Sequence, residues 1–193
     1  GAVVQTSAGH LTVTDAAGHF AFAVAPGTFS LSVLKTGYAA GGATGVVVVN
    51  GGTTVVNIAL GGIPMFVPAG ASVVAESCGP ASGAVDPNET VTVAFAILNE
   101  GSLSSTDLVA TLLPGGGVTS PSAPQSYGVV TPGGPAVSRS FTFTADAALT
   151  CGAVITATLS LTDGSTSLGT ISYALTTGQP GSATFPTLVS SGD

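Results

Sequence analysis

Gly and Pro break this sequence about every 8 to 12 residues into short runs of Val, Thr, Ile, Ala and Phe, a rhythm that suits β-sandwiches. Helix-period spacing of apolar residues is almost absent. Several runs alternate with a period of two, as a half-buried strand must. His19-Phe20-Ala21-Phe22-Ala23-Val24 puts Phe20 and Phe22 on one face. Asn50-Gly51-Gly52 sits between the apolar runs 46–49 and 53–60 and is a strong hairpin signal.

The rhythm divides the chain in two. Residues 1–62 predict strands at 10–14, 19–24, 28–34, 46–49 and 53–60, with turns at Asp15-Ala16-Ala17-Gly18 and Pro26-Gly27. Residues 63–68, Ile63-Pro64-Met65-Phe66-Val67-Pro68, read as a linker whose apolar side chains pack on something. Residues 69–178 predict seven strands, at 72–76, 90–99, 108–113, 127–130, 136–144, 154–162 and 167–176, the number that fits an immunoglobulin-like sandwich. Residues 179–193 form a tail with one short apolar stretch, Thr184-Phe185-Pro186-Thr187-Leu188-Val189. The fold class is all-β, with two tandem β-sandwich domains.

Charge narrows the function. Nine acidic residues and two cations, Lys35 and Arg139, make 6% charged residues and a net charge of −7. An ordinary domain carries roughly a quarter charged residues. The surface must be built of Gly, Ala, Ser, Thr and Val, and little repulsion keeps copies apart. That points outside the cell and toward a structural role. Two cations cannot neutralise a run of phosphates, which excludes a nucleic-acid partner. Anionic membrane surfaces are disfavoured for the same reason. Mean hydropathy is +0.62, yet no run approaches the roughly 20 apolar residues of a membrane-spanning helix, so no membrane insertion is expected. The opening Gly1-Ala2-Val3-Val4 has no basic n-region and reads as the start of a fragment processed from a longer precursor.

Catalytic patterns are missing. There is no His-Glu-x-x-His, Gly-x-Ser-x-Gly, phosphate loop or dinucleotide fingerprint, and the chain reads as a non-enzyme. His10 and His19 are the only histidines, and two without a third ligand make a poor metal site. Glu76, Asp86, Glu89, Asn99 and Glu100 crowd the start of the second region. Hard cations favour such oxygen ligands, so these five form a candidate structural calcium site. They serve equally well as solvated turn residues, with Asp86 capping the turn before Pro87. No other cofactor is implied. Cys78 and Cys151 are far apart, with no CxxC spacing. In an oxidising compartment they are expected to form a disulfide, contributing about 4 kcal/mol in the chain-entropy account. Abundant Ser and Thr, with the sequon Asn88-Glu89-Thr90, offer attachment points for glycans.

Two stretches resemble known families. Thr14-Asp15-Ala16-Ala17-Gly18-His19-Phe20, Val24-Ala25-Pro26-Gly27-Thr28-Phe29-Ser30-Leu31 and Lys35-Thr36-Gly37-Tyr38 resemble the carboxypeptidase regulatory-like domain over residues 1–60. The resemblance implies a transthyretin-like sandwich serving as a binding or spacer module. Phe29 stands where Tyr is commoner in that family. The family usually opens with a strand that has no counterpart before Gly1-Ala2-Val3-Val4, so one sheet is expected to have an uncovered edge and a gap in its core. Glu76-Ser77-Cys78, Asp86-Pro87-Asn88-Glu89-Thr90-Val91, Leu98-Asn99-Glu100-Gly101, Tyr127-Gly128 and Cys151-Gly152 resemble modules found after the catalytic unit of secreted bacterial peptidases, including fungalysin-like ones. That likeness implies a secreted, non-catalytic sandwich.

These readings lead to an extracellular or cell-surface structural protein, a subunit of a fibre assembled head to tail with copies of itself as partner. Strand donation is the expected mode, because exposed sheet edges recruit strands. The tail supplies the candidate self-association residues Thr184, Phe185, Thr187, Leu188 and Val189. The alternative is a non-catalytic accessory region of a secreted bacterial peptidase.

Overall fold

A computed structural model describes residues 1–77 and 83–178 of the chain. Cys78 and the tail residues Thr184, Phe185, Thr187, Leu188 and Val189 lie outside the described residues. The protein is all-β, with every ladder between its strands antiparallel.

The first domain contains one four-stranded sheet. Its strands are β1 (Val3–Thr6), β2 (Leu11–Val13), β3 (Gly27–Leu34) and β4 (Gly41–Val48), in the order β2-β1-β3-β4. Alternation along β1 and β3 aims Val4, Leu31 and Val33 inward. Val13, Val3 and Leu34 lie directly opposite one another on the outer face and are exposed.

The expected strands at 19–24 and 53–60 join no ladder. The Asn50-Gly51 turn forms as anticipated. Gly51 has φ 67°, and the N–H of Gly52 donates to the carbonyl of Val49 at 3.1 Å. The hairpin beyond it does not zip up. After the turn the chain crosses over the sheet, so that Ile58 and Leu60 pack on Val4 and Val33 instead of beside β4.

The second domain is a closed sandwich. One sheet has the order β5-β6-β10-β8 and the other β12-β11-β7-β9. The strands are β5 (Phe66–Glu76), β6 (Thr90–Asn99), β7 (Leu108–Leu112), β8 (Val118–Thr119), β9 (Gln125–Gly128), β10 (Val137–Ala145), β11 (Val154–Asp163) and β12 (Thr166–Thr176). Seven of the eight correspond to strands expected from the sequence. β8 was not anticipated, because two residues between turns carry no readable period. β5 begins at Phe66, within the stretch read as linker, because Phe66 pairs with Asn99 and Val67 with Leu98.

The inner faces interdigitate around Phe95, Phe141, Phe143, Ile97, Leu159 and Leu161, all essentially inaccessible to solvent. Phe95 meets Phe141 and Tyr173 with ring centroids 5.9 and 4.8 Å apart and tilted planes, a favoured aromatic geometry. The hydroxyl of Tyr127 donates to the carbonyl of Phe95 at 2.9 Å, and that of Tyr173 to the carbonyl of Ala96 at 2.7 Å. Burial pushes both phenols above their ordinary range. Arg139 partly opposes this at Tyr127, and Tyr127 reinforces it at Tyr173.

The joint between the domains is built on Asn99, which is fully buried. Its Oδ1 accepts from the N–H groups of Met65 (3.1 Å) and Gly101 (2.9 Å). Its Nδ2 donates to the carbonyls of Leu103 (2.8 Å) and Val130 (2.9 Å). The first domain is tied to this knot. The Ser102 hydroxyl and the Ile63 N–H both donate to the carbonyl of Gly37, at 2.6 and 3.1 Å. Gly101 is required by the close approach, since a Cβ there would collide with the carbonyl of Ile63.

Replacing Asn99 by Asp should destabilise the protein strongly at neutral pH. A carboxylate cannot donate to Leu103 and Val130, and its charge would be buried without a cation. A loss of about 3 kcal/mol or more is expected from denaturant unfolding. A variant as stable as the parent would show that the knot does not hold the joint.

Candidate functional site

The departure from a regular fold in the first domain creates its most distinctive feature. Burial alternates along residues 19–24 and again along 55–60, with Phe20, Phe22 and Val24 on one side and Val56, Ile58 and Leu60 on the other half-buried. Both segments therefore run as strands do, lying over the four-stranded sheet. Among the described residues, no backbone hydrogen bond involves residues 20–26 or 53–60.

Between them runs a trough. It comprises two adjoining cavities of about 420 and 310 Å³ whose walls share Gly18 and Phe20. The first lies between residues 18–24 and 52–57, over Leu31, Val46 and Val48. The second continues past Val33, Ile58 and Leu60 toward Tyr38 and Gly1. The Phe20 and Phe22 rings meet edge-on, 6.0 Å between centroids, and pack against the small core of Ala2, Val4 and Val33. That core is open where the second domain's is sealed.

One end of the trough is fixed by the Asp15 turn. The Asp15 carboxylate accepts from the N–H groups of His19 (2.8 Å) and Ala17 (2.9 Å). The His19 N–H bond holds that carboxyl below the usual carboxylate range, although the group is exposed. His19 Nδ1 lies 3.4 Å from Asp15 Oδ2. His10 belongs to a different turn, where its N–H donates to Thr6 Oγ1.

The five residues of the candidate calcium site do not come together. Asn99 and Glu100 stand at the joint, and the carboxamide of Asn99 is fully used there. Glu76, Asp86 and Glu89 lie at the opposite end of β6, where Glu89 Oε2 accepts from the Asp86 N–H and Glu76 Oε1 from the Gly83 N–H. Neighbours in sequence were separated by the ten residues of β6. Among the described residues, no group of three or more His, Cys, Asp or Glu side chains is placed to hold a metal ion. Among them, too, no helix is long and apolar enough to cross a membrane.

Cys151 is exposed in the turn before β11. The neighbouring Gly152 N–H donates to the carbonyl of Gly178, and the Gly178 N–H to that of Val85. Ser77, next in the chain to Cys78, pairs with Thr90 at the same end of the sandwich.

The trough was only partly legible. Phe20 and Phe22 were expected on one face and a core gap was expected, but nothing local marks residues 53–60 as its second wall. Their apolar alternation equally suits a hairpin with β4.

Residues 1–61 match the family model of the carboxypeptidase regulatory-like domain, a non-catalytic domain. No curated protein and no solved structure matches the chain.

The open core sets an expectation for stability. Phe22 is only partly buried, so Phe22→Ala should cost about 1–2 kcal/mol, less than the usual 3–5 for a fully buried Phe. Phe141→Ala should cost the full amount. In calorimetry the first change should lower an early transition and the second a later one. Equal effects of both on a single transition would show that the two cores melt as one.

Proposed function

We propose that this chain is an extracellular, non-catalytic structural protein, a subunit of a surface assembly in which copies join head to tail. The carrying observation is the trough, with two runs of backbone that make no backbone hydrogen bond among the described residues, beside half-buried apolar side chains. Such edges are templates for another strand. Gly178, the last described residue, lies at the end of β6 away from the joint, so the residues that follow it start from the end opposite the trough.

The match over residues 1–61 supports a second reading. The chain would then be an accessory region of a secreted peptidase, the second domain being an immunoglobulin-like module that follows the catalytic unit. An accessory region needs a tether and no self-complementary surfaces.

Size-exclusion chromatography with light scattering, and negative-stain microscopy of the native protein, separate the two. A structural subunit yields concentration-dependent linear species. A monomer at every concentration overturns this reading in favour of the accessory one. With only Lys35 and Arg139 as cations, there are few ion pairs to screen, and the contacts should resist molar NaCl. Dissociation in salt would point to charge pairing instead.

Cys78 and Cys151 are proposed to be joined, fixing the segment after β5 to the turn before β11. The positions of Ser77 and Gly152 at one end of the sandwich support the pairing. Thiol labelling of unreduced, unfolded protein should find no reactive thiol; two reactive thiols would refute it.

A further inference from the structure

The trough has what a β-strand needs on every side. Each wall offers a run of backbone that makes no backbone hydrogen bond among the described residues, groups that an added strand would pair. The sheet below presents Leu31, Val33, Val46 and Val48, at least half-buried, to alternate side chains of that strand. Four of the six sheet edges are blunted as natural sheets blunt theirs, while β4 and β12 are long edges that each pair on one side. β8 has two residues, β2 three and β9 four. β5 carries Pro68 and two register shifts.

We propose that the trough accepts residues 183–190 of a second copy of this chain as a β-strand. The choice of a second copy rests on the head-to-tail reading above and on two lengths. The ten residues of β6 separate Gly178 from the joint by about 33 Å. Residue 183 follows Gly178 by five positions, a reach of at most about 18 Å. Phe185, seven positions from Gly178 and so within about 25 Å of it, cannot stand in the trough of its own chain, which lies beyond the joint.

The segment itself suits the site. Ala183-Thr184-Phe185-Pro186-Thr187-Leu188-Val189-Ser190 carries no charge. In a strand Phe185, Thr187 and Val189 share one face, which turns to the core. Pro186 cannot donate to a ladder and stands at the first paired position. Phe185 then anchors the strand at the trough mouth, and residues 187–190 pair with the walls.

Hydrogen exchange on the full chain tests this, with a synthetic peptide of residues 182–191 as the probe. In dilute protein the amides of residues 20–24 and 55–60 should exchange freely. Concentrating the chain, or adding excess peptide, should slow them by about tenfold or more. A peptide carrying Phe185→Asp and Val189→Asp should leave them fast. Two results overturn the proposal: no slowing with the parent peptide, or full protection already in dilute monomer, which means a strand of the same chain fills the trough. Chains that form linear species while these amides stay fast would refute strand acceptance and leave the structural reading standing. Peptide protection in a chain that never self-associates would refute the second copy as donor together with the head-to-tail reading.

Discussion

The buried carboxamide of Asn99 is the interaction on which the arrangement of the two domains depends. It accepts from the linker at Met65 and the loop at Gly101, and donates to Leu103 and to Val130. All of its hydrogen-bonding capacity is used, the condition under which a buried polar group specifies one arrangement. Because Gly101 and Ser102 are held there, the carbonyl of Gly37 finds its two donors, Ser102 Oγ and the Ile63 N–H. The joint is a set of directed bonds.

Beyond that joint the domains solve the backbone problem differently. In the second, two sheets close face to face, and the phenols of Tyr127 and Tyr173 each find a β6 carbonyl. In the first, one sheet is complete, and the layer over it consists of two segments that face each other without touching through their backbones. Burial follows pairing: Phe95 and Phe141 are sealed, while Phe20 and Phe22 are partly buried. Among the described residues, that layer leaves apolar surface and backbone hydrogen-bonding groups open between the two segments.

Scarcity of charge would set the terms for any contact between copies. The outer face of the first sheet carries the exposed row Val13, Val3 and Leu34. With eleven charged residues in 193 there is little to keep such surfaces apart. Apolar burial and backbone pairing are the forces left to a protein of this composition, and neither is much weakened by salt.

The residue pattern alone specifies the all-β class, most strands of the second domain and the alternation at Phe20 and Phe22. These follow from local rules: turn residues punctuate, and a period of two assigns faces. It also determined the scarcity of cations. Tertiary structure alone decided which runs became paired. Residues 53–60 alternate well enough for a hairpin with β4, yet they cross to the other layer, because burying Ile58 and Leu60 over Val4 and Val33 outweighs continuing the ladder. Tertiary structure also scattered the acidic cluster. Glu76, Asp86 and Glu89 went to one end of β6 and Asn99 and Glu100 to the other, since a strand carries sequence neighbours apart by about 3.3 Å per residue. The role of Asn99 was invisible for the same reason, as its partners Leu103, Val130 and Met65 meet only after the sandwich has closed.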